Sequence, residues 1–367
     1  MGRKVLVVGA GIVGSAIADR LQAEGCAVTV FEGEIPAGGC TGAGLGAITE
    51  MDDSPAQLRL TAWSVRRWRE EDLGPSCERI TTGVIWMATT LEEKQALEAK
   101  AEHYNSAGVE AVLLDPVQLA RREPALRPGL AGGLLVPGGM AVYQMGASRF
   151  LLGRALERGA TLRREKVREL VPGGVRTDQG LYHGDAVVLA AGLGVTELLP
   201  ELEVVPRKGH VFITDRIPGL FKHQLIELGY LVKAGGRDSA SVAFSCCPRA
   251  TGQMLFGSSR EFVGLDRSLN REVLSGILKR ATWFVPSMVK WPIIRAWAGF
   301  RPCGKANVPA IGPWPGRGEL ILAAGHEGIG NLSAMGTAEL VAHHVTGRPA
   351  AFDPLPYLPK IGELSHA

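Results

Sequence analysis

The sequence predicts an α/β chain in which a doubly wound, largely parallel sheet is interleaved with a second α+β layer. Three observations predict it. An apolar run, Val5-Leu6-Val7-Val8, leads into Gly9-Ala10-Gly11-Ile12-Val13-Gly14 and a helix-like stretch, after which comes Val28-Thr29-Val30-Phe31-Glu32. Two more continuous apolar runs, Asp185 to Gly192 and Glu319 to Gly325, end in small residues, as buried parallel strands do where their C-terminal ends abut a ligand. Between these runs the pattern changes to strands and charged helices outside such a unit.

The first segment reads as a dinucleotide-binding βαβ unit. A buried strand that turns sharply asks for Gly9, backbone that approaches a pyrophosphate asks for Gly11, and close helix–strand packing asks for Gly14. The helix N-terminus then presents free N–H groups and the positive end of its dipole to the phosphates. Glu32 closes the second strand 18 residues after Gly14, where a carboxylate can accept hydrogen bonds from both ribose hydroxyls.

The stretch from Gly38 to Gly46 is too rich in glycine for a regular element and is expected as a loop whose backbone lies close to a ligand. Residues 55–73 have the apolar spacing of an amphipathic helix. A strand is expected within 79–90, and a charged helix from Leu91 to Ala107 ends at Gly108. A strand-rich stretch through Gly132 to Pro137, a helix from about Ala147 to Glu157 and a strand near Lys166 to Leu170 follow. From Val204 to Arg301 strands surround a charged helix at Arg271 to Thr282, and Gly328-Ile329-Gly330 opens a helix running through His343. The dinucleotide-type segments are therefore 1–75, 145–204 and 303–367, and 76–144 with 205–302 build the second layer. A ligand is expected between them.

Composition narrows the function classes. With 367 residues the chain holds one large or two medium domains, and its net charge of +3 comes without a long basic block, which speaks against nucleic acid. A first strand at Lys4 leaves no room for a secretory segment, and no apolar stretch reaches the roughly 18 residues of a membrane span, so a cytoplasmic location is expected, or a peripheral one at the inner membrane through partners. The six cysteines form no CxxC pair and no metal-ligand spacing, so no metal is expected; they read as reduced thiols, with Cys246-Cys247 as ordinary strand residues in preference to a redox-active vicinal pair, whose disulfide is strained.

Several separated motifs carry a family resemblance over nearly the whole chain. They are Val7 to Gly14 with Glu32, Val187-Val188-Leu189-Ala190-Ala191-Gly192, Trp297-Ala298-Gly299-Phe300-Arg301-Pro302, and Ala324-Gly325-His326-Glu327-Gly328-Ile329-Gly330. Together they resemble the D-amino-acid-oxidase type of FAD-dependent oxidoreductase. Pro206-Arg207-Lys208-Gly209-His210, His223 to Tyr230, and Pro248 to Gln253 running into Gly257-Ser258-Ser259-Arg260 look like the catalytic β subunits of D-hydroxyproline dehydrogenase, opine oxidase and hydrogen cyanide synthase.

The resemblance implies an FAD-binding Rossmann-like domain with an interleaved α+β substrate domain on a mainly antiparallel sheet. It implies FAD as cofactor, with Gly9, Gly11 and Gly14 at the pyrophosphate, Glu32 at the ribose and Val167 at the adenine. Thr41, Gly42, Ala43 and Gly44 would approach the flavin and diphosphate, Gly192 would lie beside the cofactor, and Gly328, Gly330 and Asn331 would face the flavin N1 and O2 edge. Arg301 matches the arginine for the substrate carboxylate, Tyr230 an aromatic at the pocket mouth, and His326 a position near flavin or substrate. The implied activity is oxidation of a small D- or cyclic amino acid to the imino acid, with hydride passing from Cα to flavin N5. Companion subunits with a second flavin or nucleotide site and an iron–sulfur centre are implied as partners.

Two other readings stand beside it: a glycine- or sarcosine-type oxidase using oxygen directly, and a flavin-binding electron-relay subunit with a degenerate pocket. They are kept open by departures from the family pattern at Glu327-Gly328, at Cys303-Gly304-Lys305-Ala306-Asn307 and at Cys246-Cys247.

Overall fold

The parallel strands form because their apolar residues are buried on both faces. The computed structural model describes residues 2–229 and 240–360. Among these, a six-stranded sheet runs in the order Ala310–Trp314, Arg317–Ala324, Ala186–Leu189, Lys4–Val8, Ala27–Phe31, Thr161–Arg163. All neighbours are parallel except the first pair, an antiparallel hairpin. Helices Ile12–Ala23, Gln144–Glu157, Gly330–Thr346 and Pro55–Glu70 cover one face through a core containing Val5, Val7, Ile17, Trp68 and Leu340. The other face packs Leu6, Val8, Phe31 and Leu322 against Val167 and Val175 of a small three-stranded sheet.

An eight-stranded sheet forms the second layer, in the order Ile293–Cys303, Val205–Thr214, Met254–Arg260, Ser241–Pro248, Gln224–Glu227, Val84–Ala88, Gly132–Val136, Val112–Leu114. It is antiparallel apart from one parallel pair, Gln224–Glu227 with Val84–Ala88. Helix Arg271–Phe284, capped by the Asn270 side chain, lays Val273, Ile277 and Phe284 on Phe212, Phe244 and Phe256 of one face. The opposite face turns Cys247, Leu255, Ile213 and Trp297 toward Leu45 and Ala47 of the glycine-rich segment. The fold is thus the α/β arrangement expected, with two sheets meeting at the ends of the parallel strands.

Cys246 and Cys247 show how this sheet works. They alternate, Cys246 into the helix-covered core and Cys247 to the opposite face, and both are free thiols. Burial pushes Cys246 well above the ordinary thiol value and Cys247 up to about 12, so neither is a ready thiolate.

The segment around Gly38 to Gly46 departs from the sequence expectation. Cys40–Ala43 is one turn of α-helix, where the glycine content predicted no regular element. Tertiary contacts supply what local propensity lacks. Thr41 Oγ1 accepts the Ile12 N–H at 3.0 Å, the Ala43 carbonyl accepts from Trp297 Nε1 at 3.1 Å, and Gln144 Nε2 donates to the Gly44 carbonyl at 2.7 Å.

Candidate active site

Helix Ile12–Ala23 starts at Gly11 in extended backbone, with no side-chain cap, which leaves its first-turn N–H groups other than that of Ile12 to an anion. Gly9 holds φ at 106°, and a Cβ there would stand 2.5 Å from the Ala190 carbonyl oxygen. A Cβ on Gly14 would stand 2.0 Å from the Gly9 oxygen, so strand end, turn and helix meet backbone to backbone. Glu32 lies on the rim of this turn, its carboxylate accepting from the N–H groups of Ala10 and Glu34 at 2.9 Å each. Val167 opens the small three-stranded sheet next to Lys166, whose side chain packs on Gly33.

A second group of expected residues converges nearby. Gly44 approaches Asn331, with the Asn331 Nδ2 3.2 Å from where a Gly44 Cβ would be. Gly328 lies against the Arg301 side chain, and Gly330 begins the helix that follows. Gly192 starts a short 3-10 turn after its strand, with φ at 58°. The glycine cradle, the carboxylate on its rim and the buried Gln144 Oε1, which has no hydrogen-bond partner, fit a flavin dinucleotide.

Arg301 leaves strand Ile293–Cys303 on the face turned toward Ala43. Its Nη1 donates to the Ser259 carbonyl at 3.0 Å, and its Nε is 3.9 Å from Glu327 Oε1. Room for the guanidinium comes from Gly209, where a Cβ would lie 2.6 Å from Nη1. Two residues back along the strand, Gly299 packs on the helical turn, and a Cβ there would be 2.3 Å from the Ala43 Cβ.

Sequence reasoning named the residues that complete this cluster but gave them no site role. Arg207 pairs directly with Arg301 across the strands and forms an ion pair with Glu327. Arg260 adds its field to the same carboxylate. Burial would raise the Glu327 carboxyl, but Arg301, Arg207, Arg260 and the Gly328 N–H outweigh it and hold the group below its ordinary value. Glu327 also holds a positive φ of 48°, a backbone conformation that side-chain-bearing residues rarely adopt without compensating contacts. A signal was present: Arg207-Lys208-Gly209 and Gly299-Phe300-Arg301 are mirror patterns, and antiparallel pairing superposes arginine on arginine and glycine on glycine.

His326 is placed differently from the other expected residues. It is 4% exposed and its Nε2 lies 3.0 Å from Thr337 Oγ1, while burial pushes its pKa down to about 4. The imidazole is therefore neutral and tied to the helix that follows. Tyr230 lies outside the described residues. A cavity of about 330 Å³ opens beside the cluster, lined by Arg207, Arg260 and Cys303 on one side and Gly325, His326 and Glu327 on the other. No group of metal-ligating side chains occurs among the described residues, and no described helix is long and apolar enough to cross a membrane.

Comparison with known proteins decides the family: its model, described as FAD dependent oxidoreductase, matches residues 4–344. The chain belongs to the DAO family of FAD-dependent oxidoreductases. A glycine oxidase of Pseudomonas aeruginosa is 30% identical over 389 residues, spanning 98% of this chain and 99% of that protein. D-amino acid dehydrogenase 2 of Mesorhizobium japonicum is 25% identical, spanning 96% of this chain and 98% of its own. The solved glycine oxidase from Bacillus cereus superposes with a TM-score of 0.85 at 21% identity, covering 100% of this chain and 99% of that one, and shares its fold. As a member of this family the chain is an FAD-binding oxidoreductase.

Proposed function

We propose that this DAO-family enzyme oxidises a small D-configured or cyclic amino acid, of the D-hydroxyproline kind, to its imino acid. One observation carries the reading. Arg301, braced by the Ser259 carbonyl and Glu327, keeps Nη2 uncommitted among the described residues on the sheet face that meets the Cys40–Ala43 turn. A planar guanidinium fixed in this way suits a carboxylate, which it can bond through two parallel N–H groups.

FAD, when bound, supplies the acceptor at N5 for the hydride that leaves Cα. The protein holds the substrate carboxylate at Arg301, and the buried wall of Leu255 and Cys247 with the partly buried Trp297 limits water. His326, neutral and bonded to Thr337, is not poised as a proton acceptor. A substrate amine that arrives neutral needs none, because its lone pair forms the C=N bond as hydride departs; orientation then supplies much of the rate.

The chain acts in this reading as the catalytic subunit of a larger complex whose flavin- or nucleotide-binding and iron–sulfur partners carry electrons away. The 30% identity to a glycine oxidase favours a second reading, direct use of oxygen with glycine or sarcosine. Anaerobic mixing of holoenzyme with cis-4-hydroxy-D-proline, D-proline, glycine and sarcosine tests both. Bleaching by the cyclic D-amino acids, with turnover through a dye but little peroxide in air, supports the dehydrogenase. Peroxide formation with glycine by the isolated chain supports the oxidase, and no bleaching by any of the four overturns the amino-acid reading.

A further inference from the structure

Arg301 reaches its brace across an intervening strand. Strand Ile293–Cys303 pairs with Val205–Thr214, and the Ser259 carbonyl that accepts from Nη1 belongs to the strand beyond, Met254–Arg260. The guanidinium passes over Gly209 to get there, and a Cβ on Gly209 would lie 3.0 Å from the Ser259 oxygen. That carbonyl is turned to it where the two inner strands part. Phe212 pairs with Phe256 and Lys208 bridges to Glu261, so residues 209–211 face 257–260, a bulge of one residue on the second strand. Inside the bulge the His210 N–H is accepted at 2.9 Å by the Ser259 hydroxyl rather than by a strand carbonyl. The His210 ring adds a second contact, with Nδ1 3.1 Å from Ser259 Oγ and 3.2 Å from Glu261 Oε2. Its Nε2 accepts the Asn270 N–H at 3.1 Å, which puts the ring proton on Nδ1 and makes the Ser259 hydroxyl its acceptor. Both side chains are buried, and burial holds the imidazole below its ordinary pKa, in the neutral form.

We propose that His210 is a positioning residue for Arg301: through its two contacts with the Ser259 hydroxyl it fixes the bulge that presents the Ser259 carbonyl to the guanidinium. Its effect on substrate rests on the reading of Arg301 as the carboxylate anchor. A bulge takes backbone groups out of the strand ladder, and buried groups without partners are costly. Here the Ser259 hydroxyl takes the His210 N–H and Nδ1–H while Arg301 takes the Ser259 carbonyl. Without the hydroxyl, two buried donors lose their acceptor, and the strands can restore one only by shifting. Such a shift carries the Ser259 carbonyl with it, and an anchor displaced by about 1 Å loses much of its hold on a carboxylate. The two ring nitrogens therefore have separable duties. Nδ1 faces the brace of Arg301, and Nε2 holds Asn270, the cap of helix Arg271–Phe284.

The test separates these duties. His210→Asn retains a donor at the Nδ1 position and gives up the Nε2 acceptor, whereas His210→Gln retains an acceptor near Nε2 and gives up the donor. Both variants and Ser259→Ala are compared with the parent as holoenzymes, through the Kd of tetrahydrofuran-2-carboxylate from flavin absorbance and through KM and kcat for the amino acid that reduces the flavin. Ser259→Ala and His210→Gln are expected to raise Kd and KM about tenfold with kcat within about threefold, and His210→Asn to stay within about threefold of the parent in all three. Neither Kd nor KM depends on the fraction of folded protein. The reverse order, with His210→Gln like the parent and His210→Asn impaired, assigns the ring to the helix cap and overturns the proposal. Parental constants in all three variants, beside lost binding in Arg301→Ala, overturn it and leave the anchor reading intact. If Arg301→Ala itself keeps the parental Kd, the anchor reading fails, and crystal structures of the variants decide the positioning claim separately. Loss of the contact from Arg301 Nη1 to the Ser259 carbonyl in Ser259→Ala and His210→Gln, with its retention in His210→Asn, supports the claim; retention in all three overturns it.

Discussion

Arg207 and Arg301 stand directly opposite each other on paired antiparallel strands, and the Glu327 carboxylate lies within ion-pair reach of both. Like charges facing across a ladder repel, so the pairing depends on the acid between them. Glu327→Gln is expected to destabilise the protein by about 1–3 kcal/mol, less than a fully buried pair because the side chain is 27% exposed. Its folded pKa is depressed, so its contribution is complete above the ordinary value of 4.5 and disappears as pH falls through the folded value. Thermal melts at pH 7 and pH 4 should therefore differ less in the variant than in the parent, and an equal or larger difference refutes the assignment.

If Arg301 anchors the substrate as proposed, its loss separates catalysis from cofactor binding. Arg301→Ala is predicted to lower kcat/KM roughly 100- to 5000-fold while the flavin spectrum persists, since a lost charged hydrogen-bond pair costs about 3–5 kcal/mol when buried. Arg301→Lys should recover only part of this, because an ammonium cannot present two parallel donors. Unchanged turnover in the alanine variant would instead favour an electron-relay role.

Gly209 makes room for that anchor. A methyl at this position would lie 2.6 Å from Arg301 Nη1 and 3.0 Å from the Ser259 oxygen. Gly209→Ala should raise KM about tenfold or more with little change in FAD content, since displacing a positioned group by about 1 Å is costly. Steady-state kinetics beside flavin absorbance decide this, and a KM within twofold of the parent contradicts it.

One buried and one half-buried histidine contribute to the acid sensitivity of stability. Burial pushes His326 down to about 4, and burial with the neighbouring His343 does the same to His344, against an ordinary value of 6.5. The unfolded chain binds their protons first, so stability is complete above pH 6.5 and falls between there and about 4. Melting temperatures of the parent should drop through this window, and His326→Asn or His344→Gln should flatten the slope; parallel slopes would count against it.

The dinucleotide cradle was legible because its chemistry is contiguous. Gly9, Gly11, Gly14 and Glu32 fall within one βαβ unit, where local spacing and strand burial dictate the same geometry. The helical turn at Cys40–Ala43 was not legible. Its partners Ile12, Gln144 and Trp297 lie far apart along the chain, and glycine-rich sequence by itself favours no regular element. Arg260 and Glu327 appear in the sequence motifs but received no site role for a related reason, since a charge in a strand or loop reads as solvated surface until its partners are known.

From its residues alone this chain determined a parallel sheet with glycine-lined strand ends and a dinucleotide-type βαβ turn, while family resemblance singled out Arg301. Tertiary structure alone decided what surrounds that arginine: a facing Arg207 and the Glu327 carboxylate within reach of both. The physical reason is that apolar periodicity acts over neighbouring residues, whereas a charge or hydroxyl acquires its role from groups that only sheet pairing brings within a few ångströms.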